Sequence, residues 1–237
     1  RTRPCSMLAR RPRRAAASVR LPSMNSQRLT LVTIILAVLV VLAAVIVPRF
    51  TSGGAPAAKA DIDYAAQPHA GDPAAPVKVA IFFDFLCPHC ATFSENEAPQ
   101  IVRDYVDTGK ASLYYLNFPV IDPAGRSRDL AVLGECVYQQ NNDAFFKLEP
   151  ILMRSQAEIA RNTSRALDLA IEYAPELDAA QLRTCVSTKA TAADVTADET
   201  AARRANVTGT PSVLVDGVLV PSPTVAGIGR AIEAASR

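Results

Sequence analysis

The chain has 237 residues, and its charge is divided unevenly along the sequence. Ten of the 25 Lys and Arg residues and none of the 23 acidic residues lie in residues 1–60, which leaves residues 61–237 with a formal charge of −8. A body this acidic argues against nucleic-acid binding, because proteins that bind nucleic acids need a basic surface to neutralise phosphates.

One apolar stretch near the start predicts a membrane anchor. Residues 29–47 contain 19 residues without a charge, and a helix of roughly 20 apolar residues spans a bilayer core. Eight Arg residues precede this stretch, and an excess of positive charge at one end places that end in the cytoplasm. We therefore expect residues 1–28 to form a basic cytoplasmic tail. The body would then lie outside the cell membrane, held by a single transmembrane helix.

A cleaved signal peptide is the alternative to this anchor. The triplet Ala58–Ala60 has the small-x-small form of a cleavage site, although the apolar stretch is longer than a usual signal core. Both interpretations export the body. The chain begins without Met, and Met7 and Met24 are alternative translation starts, so the tail is not necessarily translated in full. Residues 48–60 are rich in Pro, Gly and Ala and read as a flexible linker.

The first half of the body alternates strand and helix patterns. Residues 77–85 form a short apolar run, rich in β-branched and aromatic side chains, that predicts a buried strand. A helical pattern follows, with Pro88 at the first helical position, where a missing N–H costs nothing. Pro99 should kink this helix, because it removes an internal hydrogen bond. Residues 111–118 predict a second strand.

The second half of the body is mostly helical. Residues 122–206 show helical periodicity, and strand patterns return only at residues 212–215 and 218–220. The Asp216–Gly217 pair between them is a two-residue hairpin signal, and residues 224–235 predict a final helix. The fold class is therefore α/β, with a sheet interrupted by an all-helical insertion.

The motif Cys87-Pro88-His89-Cys90 stands where the first strand meets the following helix. The unpaired N–H groups and the dipole of a helix N-terminus favour negative charge there, which lowers a thiol pKa and raises its thiolate fraction. His89 can stabilise the same thiolate. We therefore expect Cys87 to be the nucleophile that forms a mixed disulfide, and Cys90 to resolve it.

Two other uses of this motif fit the sequence less well. A structural zinc site needs four ligands, and a second pair of ligands at suitable spacing is missing from the sequence. A purely structural bridge between Cys87 and Cys90 would constrain little chain. We expect a redox-active Cys87–Cys90 disulfide that needs no metal and no organic cofactor.

Cys136 and Cys185 both lie in predicted helices of the insertion. A structural disulfide between them would close a loop of about 50 residues and stabilise the fold by about 4 kcal/mol. A second redox pair and two buried free thiols remain alternatives.

The body resembles the DsbA-like branch of the thioredoxin superfamily over residues 68–235. The resemblance lies in Phe82–Leu86 followed by Cys87–Cys90, and in Thr208–Ser212 at the end of the helical block. It implies that residues 61–237 form a thioredoxin-like domain with an inserted helical domain. It also implies a cis peptide bond before Pro211, which lies against the cysteines while backbone groups of Thr210 pair with an extended substrate.

One position departs from the pattern of this superfamily. Several members carry a buried acid that assists proton transfer from the resolving thiol, and here Ile81 occupies its place. Asp84 is the nearest acid. It either takes over the proton relay or only orients the active-site loop.

The resemblance, together with the predicted anchor, leads us to expect a membrane-anchored, extracytoplasmic thiol–disulfide oxidoreductase. We expect it to introduce disulfides into unfolded or reduced exported proteins and to be reoxidised by a membrane redox partner. Thr210 before the expected cis-proline leaves the direction of electron flow open, so a disulfide reductase or isomerase is an alternative. A non-catalytic module that binds extended peptides is a second alternative.

Overall fold

The computed structural model describes Leu31, residues 33–40 and residues 59–237. The chain divides into two units, residues 1–54 and residues 55–237. In the first unit, the described residues are helical and their side chains are exposed. The second unit contains the sheet, the helices and all the cysteines discussed below.

Most of the predicted anchor at residues 29–47 lies outside the described residues, as do the predicted tail at residues 1–28 and the linker up to residue 58. Within the part of the chain that the structure describes, no helix combines the length and the apolar character needed to cross a bilayer.

The described body begins with a 3-10 turn and continues with five strands and nine helices. In chain order they are the turn Tyr64–Ala66, β1 (His69–Ala70), β2 (Val77–Phe83), α1 (Pro88–Asn96), α2 (Ala98–Ile101), a π-helical turn (Val102–Val106), β3 (Ala111–Asn117), α3 (Arg126–Gln140), α4 (Asn142–Arg154), α5 (Gln156–Ile159), α6 (Ser164–Tyr173), α7 (Ala179–Thr188), α8 (Ala192–Arg204), β4 (Ser212–Val215), β5 (Val218–Leu219) and α9 (Val225–Ala235).

The sheet has the strand order β1-β3-β2-β4-β5. The central strand β2 runs parallel to β3 and antiparallel to β4. Both faces of the β2–β3 pair are covered, and every residue of β3 is buried. This double burial explains why the two strands read as continuous apolar runs and show little alternation.

Side chains alternate between two cores across the central strand, as the pleat of a strand requires. Ile81 and Phe83 belong to the larger core, which also contains the buried faces of α1, α3 and α4. Ala80 and Phe82 face a smaller core on the other side, where Ala202 of α8 packs against them. The sheet is therefore enclosed by helices on both faces, with α1 held against the larger core.

Pro99 has a stronger effect than the predicted kink. Helix α1 ends at Asn96, and a separate helix α2 begins at Ala98 with Pro99 in its first turn. At that position the missing proline N–H has no intrahelical partner to lose. The chain then passes through a π-helical turn at Val102–Val106 before β3.

The helical insertion comprises α3 to α8, which together span residues 126–204. Cys136 of α3 and Cys185 of α7 are joined by a disulfide, and 49 residues separate them in sequence. After the insertion the chain returns to the sheet edge. Asp216 and Gly217 both have positive φ, at 47° and 79°, as a tight two-residue hairpin requires.

Replacing Cys136 and Cys185 together by Ser tests what the disulfide contributes to the fold. The loss of a loop constraint of this size should lower the free energy of unfolding by about 4 kcal/mol. The pKa of the Cys87 thiol should stay unchanged, because the bridge lies within the insertion. Urea titration and thiol titration of the double variant check both expectations. An unchanged free energy of unfolding would contradict the first.

Candidate active site

The two cysteines of the Cys-x-x-Cys motif occupy the first turn of α1. Cys87 is the N-cap residue, Pro88 is the first helical residue, and Cys90 lies three positions after the cap. Both thiols are free, with exposures of 1% for Cys87 and 2% for Cys90. The strand-to-helix junction thus places both cysteines, buried, at the end of the sheet.

The surroundings of Cys87 favour its thiolate. Hydrogen bonding from the Cys90 thiol is the largest effect and, against the opposing effect of burial, lowers the pKa of Cys87 to about 5. Thr210 and the backbone N–H groups of Cys90 and His89 make smaller contributions to the same lowering. These N–H groups belong to the open first turn of α1, where helices favour anions. Cys87 is therefore mainly a thiolate at neutral pH.

Cys90 has the opposite preference. Burial, together with the hydrogen bond and the charge of Cys87, raises the pKa of the Cys90 thiol above its usual range. Cys90 therefore keeps its proton and donates to its neighbour. Cys87 Sγ is therefore ready to attack as a nucleophile or to depart as a leaving group. Cys90 must lose a proton before it can attack.

The Thr210–Pro211 segment lies against this pair, and its peptide bond is cis. Cys87 Sγ lies 3.2 Å from the carbonyl oxygen of Thr210, to which it donates when it is protonated. The Thr210 hydroxyl is buried without a hydrogen-bond acceptor or donor among the described residues. The nearby Thr210 side chain lowers the pKa of both cysteines. The segment expected from the sequence is thus in contact with the motif.

Pro88 and His89 are exposed on the outer side of the same turn. Among the interactions that lower the pKa of Cys87, His89 contributes through its backbone N–H. The sequence predicts that the His89 imidazole stabilises the Cys87 thiolate, but the imidazole is not among these interactions. Pro88 and His89 therefore form the solvent-facing rim of the site.

Asp84 is buried and serves as an acceptor for three backbone N–H groups. Its carboxylate accepts from Leu86, Val120 and Ile121, each over 2.8 Å. These bonds tie the loop before Cys87 to the loop after β3. Of the two roles predicted for Asp84, these bonds support the orientation of the active-site loop rather than a proton relay. They also hold Val120 and Ile121, which are 45% and 44% exposed, as apolar side chains at the surface beside the site.

Gln156 fixes the same loop from the helical insertion. Its Nε2 donates to the carbonyl oxygen of Phe85 over 3.0 Å and to that of Cys87 over 2.8 Å. Sequence reasoning did not find Gln156, since a polar residue at the start of a short helix shows no local sign of a partner 69 residues away.

Comparisons with known proteins agree with this geometry. The sequence model of the family described as Thioredoxin matches residues 64–234. The "Probable disulfide bond formation protein D" of Bacillus anthracis is 33% identical over 174 residues, which cover 72% of this chain and 78% of that protein. Oxidised BdbD from Bacillus subtilis aligns with a TM-score of 0.68 and 24% identity, over 76% of this chain and 98% of that chain. DsbA from Chlamydia trachomatis aligns with a TM-score of 0.63 and 23% identity, over 71% and 89% of the two chains. At these identities the two structures support the fold.

The fold and the curated relatives define a protein disulfide oxidoreductase. Within that class, the chain belongs to the thioredoxin superfamily and to its DsbA-like branch. Its thioredoxin-like sheet with an inserted helical domain is the architecture that the sequence predicts.

Two variants at Cys90 test the source of the low Cys87 pKa. Cys90→Ala removes the hydrogen-bond donor, so the Cys87 pKa should rise from about 5 toward the free value of about 8.5. Cys90→Ser keeps a hydroxyl donor and should raise the pKa by less. Ultraviolet absorbance of the thiolate, followed against pH, measures each midpoint. An unchanged midpoint in Cys90→Ala would show that the helix terminus alone sets the pKa.

Proposed function

We propose that the chain introduces disulfides into reduced exported proteins through the Cys87–Cys90 pair. The observation that carries this proposal is the unequal environment of the two thiols, in which Cys87 is stabilised as a thiolate and Cys90 as a thiol. Stabilising the reduced form of a cysteine pair makes its disulfide a stronger oxidant, because reduction of the disulfide then releases more free energy.

The reaction follows from this asymmetry. A substrate thiolate attacks Cys87 Sγ in the oxidised pair, and Cys90 departs and takes up a proton. A second substrate thiolate then attacks the substrate sulfur of the mixed disulfide, and Cys87 leaves as its stabilised thiolate. Two electrons pass from the two substrate thiols to the Cys87–Cys90 pair. A low thiol pKa helps this last departure, since a thiol of lower pKa leaves faster.

The cis-proline segment and the nearby apolar loop suit an unfolded substrate. Backbone groups of Thr210, beside Pro211, would pair with an extended chain in the manner of an added strand. Val120 and Ile121 would contact apolar side chains of that chain. Main-chain pairing is tolerant of sequence, which fits an enzyme that acts on many reduced proteins.

The proposed place of work is outside the cell membrane. The basic residues 1–28, the apolar residues 29–47 and the acidic body support a single-pass anchor with a cytoplasmic N-terminus. The Cys136–Cys185 disulfide supports an oxidising compartment, where such bonds persist. A redox partner in the same membrane would accept electrons from the reduced pair and restore the disulfide.

The reduction potential of the pair tests the direction of electron flow. Equilibrated against glutathione buffers, the protein should show a potential of about −120 to −180 mV, the range of disulfide-forming proteins. The matched control, Cys87→Ser, should show no reversible titration of the motif. A potential of about −230 mV or lower would instead favour a reductase or isomerase. If the unmodified protein did not titrate at all, the peptide-binding module would replace the enzyme.

A further inference from the structure

Glu149 of α4 is a buried acid that faces the active-site helix. Its side chain is 5% exposed, and its Oε2 accepts a hydrogen bond from Ser94 Oγ of α1 over 2.8 Å. Its other oxygen, Oε1, is buried without a hydrogen-bond partner among the described residues. Burial raises the pKa of this carboxyl to about 7. The group therefore gains and loses a proton near neutral pH.

Two observations connect this carboxyl to the resolving cysteine. Ser94 lies four residues after Cys90 on α1, and residues at this spacing lie on one face with Cβ atoms about 5–6 Å apart. Both side chains are buried. Tyr115 of β3 is near both groups, because burial and then the charges of Glu149 and Cys90 raise its pKa. The acid and the thiol thus share one buried region beneath α1.

A cavity of about 370 Å³ joins this region to the surface. Its lining includes the buried Ser94, Tyr115 and Glu149 as well as the exposed Pro99 and Arg103. Each water occupies about 30 Å³ of the liquid, so the cavity has room for several waters with polar partners. A proton on Glu149 therefore has a path to solvent.

Three other buried acids already have hydrogen-bond partners, whereas Glu97 at the C-cap of α1 also keeps a buried oxygen without one. Asp84 uses its carboxylate for three backbone N–H groups. Glu135 and Asp198, whose pKa values burial raises to about 8 and about 6, both accept from Asn117 of β3. Glu149 combines an unpartnered oxygen with a contact to the active-site helix.

We propose that Glu149 is the proton acceptor for Cys90 in the step that closes the Cys87–Cys90 disulfide. This inference rests on the proposed function. It adds a further residue to the redox reaction, and that residue comes from the helical insertion. Glu149 takes up the proton that Cys90 must lose across the buried region beneath α1, where Ser94 and Tyr115 lie beside it. The cavity then returns that proton to solvent.

The step balances when a small disulfide such as glutathione disulfide is the oxidant. The Cys87 thiolate first displaces one glutathione thiolate and forms a mixed disulfide. The Cys90 thiol then gives its proton to the Glu149 carboxylate, and the new thiolate attacks Cys87 Sγ. The bond between Cys90 Sγ and Cys87 Sγ forms, the mixed disulfide breaks, and the second glutathione leaves as a thiolate with the bonding electron pair.

The groups that face Glu149 define its pH response. Tyr115 comes from β3, Arg103 from the π-helical turn after α2, and Arg154 from α4 itself. Helix α1 presents Ser94, with Cys90 and Glu97 one turn to either side. Burial raises the pKa of Glu149, whereas the Ser94 hydrogen bond and the charge of Arg154 lower it. Glu149 should therefore accept a proton above about pH 7 and lose this ability below it.

The test follows closure of the mixed disulfide in the reduced full-length chain after mixing with glutathione disulfide. Rapid acid quenching and mass spectrometry separate the mixed disulfide from the closed pair. Glu149→Gln keeps the size of the side chain and an acceptor for Ser94 but cannot take a proton. Glu135→Gln is the matched control, since it neutralises another buried acid with a raised pKa.

In the unmodified protein, the closure rate should rise with an inflection near pH 7. Glu149→Gln should lose that inflection, and above it should close about 100-fold more slowly, the lower end of what a positioned acid or base contributes. The mixed disulfide should accumulate, while the Cys87 pKa stays unchanged. Glu135→Gln should keep the inflection and the rate. A Glu149→Gln variant with the unmodified rate profile would overturn the inference.

A second variant serves if Glu149→Gln does not fold. Ser94→Ala removes the hydrogen bond that lowers the Glu149 pKa, so the inflection should move to higher pH. An inflection that stays in place would overturn the inference. A failure of the proposed function would give a different result, because the unmodified protein would then form no mixed disulfide. That result would overturn both the proposed function and the role of Glu149. Normal formation with normal closure in Glu149→Gln would overturn the Glu149 relay alone.

Discussion

The antiparallel pairing of β2 with β4 is the constraint on which the active site depends. Phe82 lies opposite Ser212 in that pairing, so the chain that follows Phe82 and the chain that precedes Ser212 meet at the same end of the sheet. There Cys87 Sγ contacts the carbonyl oxygen of Thr210, although the two residues are 123 positions apart in sequence. Without this pairing, the Cys-x-x-Cys motif would lack the Thr210 groups that contact its first sulfur.

The helical insertion does more than cover the sheet. Gln156 holds two carbonyl groups of the active-site loop, and Glu149 contacts Ser94 beneath the active-site helix. The insertion therefore packs directly against the redox pair, while its own disulfide lies elsewhere, between α3 and α7. The sheet sets the geometry of the two sulfurs, and the insertion fixes the loop and places a buried acid, Glu149, beneath the active-site helix.

Local patterns in the sequence predict the parts of the fold that depend on neighbouring residues. The apolar run of β2, the hairpin at Asp216–Gly217 and the Cys-x-x-Cys at a helix start are examples. The partners of Gln156 and Glu149 depend on tertiary contacts between distant helices, so a periodic pattern contains no sign of them. The strand β1 has two residues, too few for any periodicity. The sequence shows that Asp84 lies close to the Cys-x-x-Cys motif, but it gives no sign of the three backbone N–H groups that donate to its carboxylate.

The central claim is that the folded protein stabilises the Cys87 thiolate and hence the reduced pair. The most direct measurement compares the free energy of unfolding of the reduced and oxidised forms, with the Cys136–Cys185 disulfide intact in both. Folding lowers the Cys87 pKa from 9 to about 5 in the reduced form. The extra stability of that form should therefore be complete above about pH 9 and disappear as pH falls through about 5. An oxidised form that is the more stable at neutral pH, or a difference independent of pH, would contradict the account.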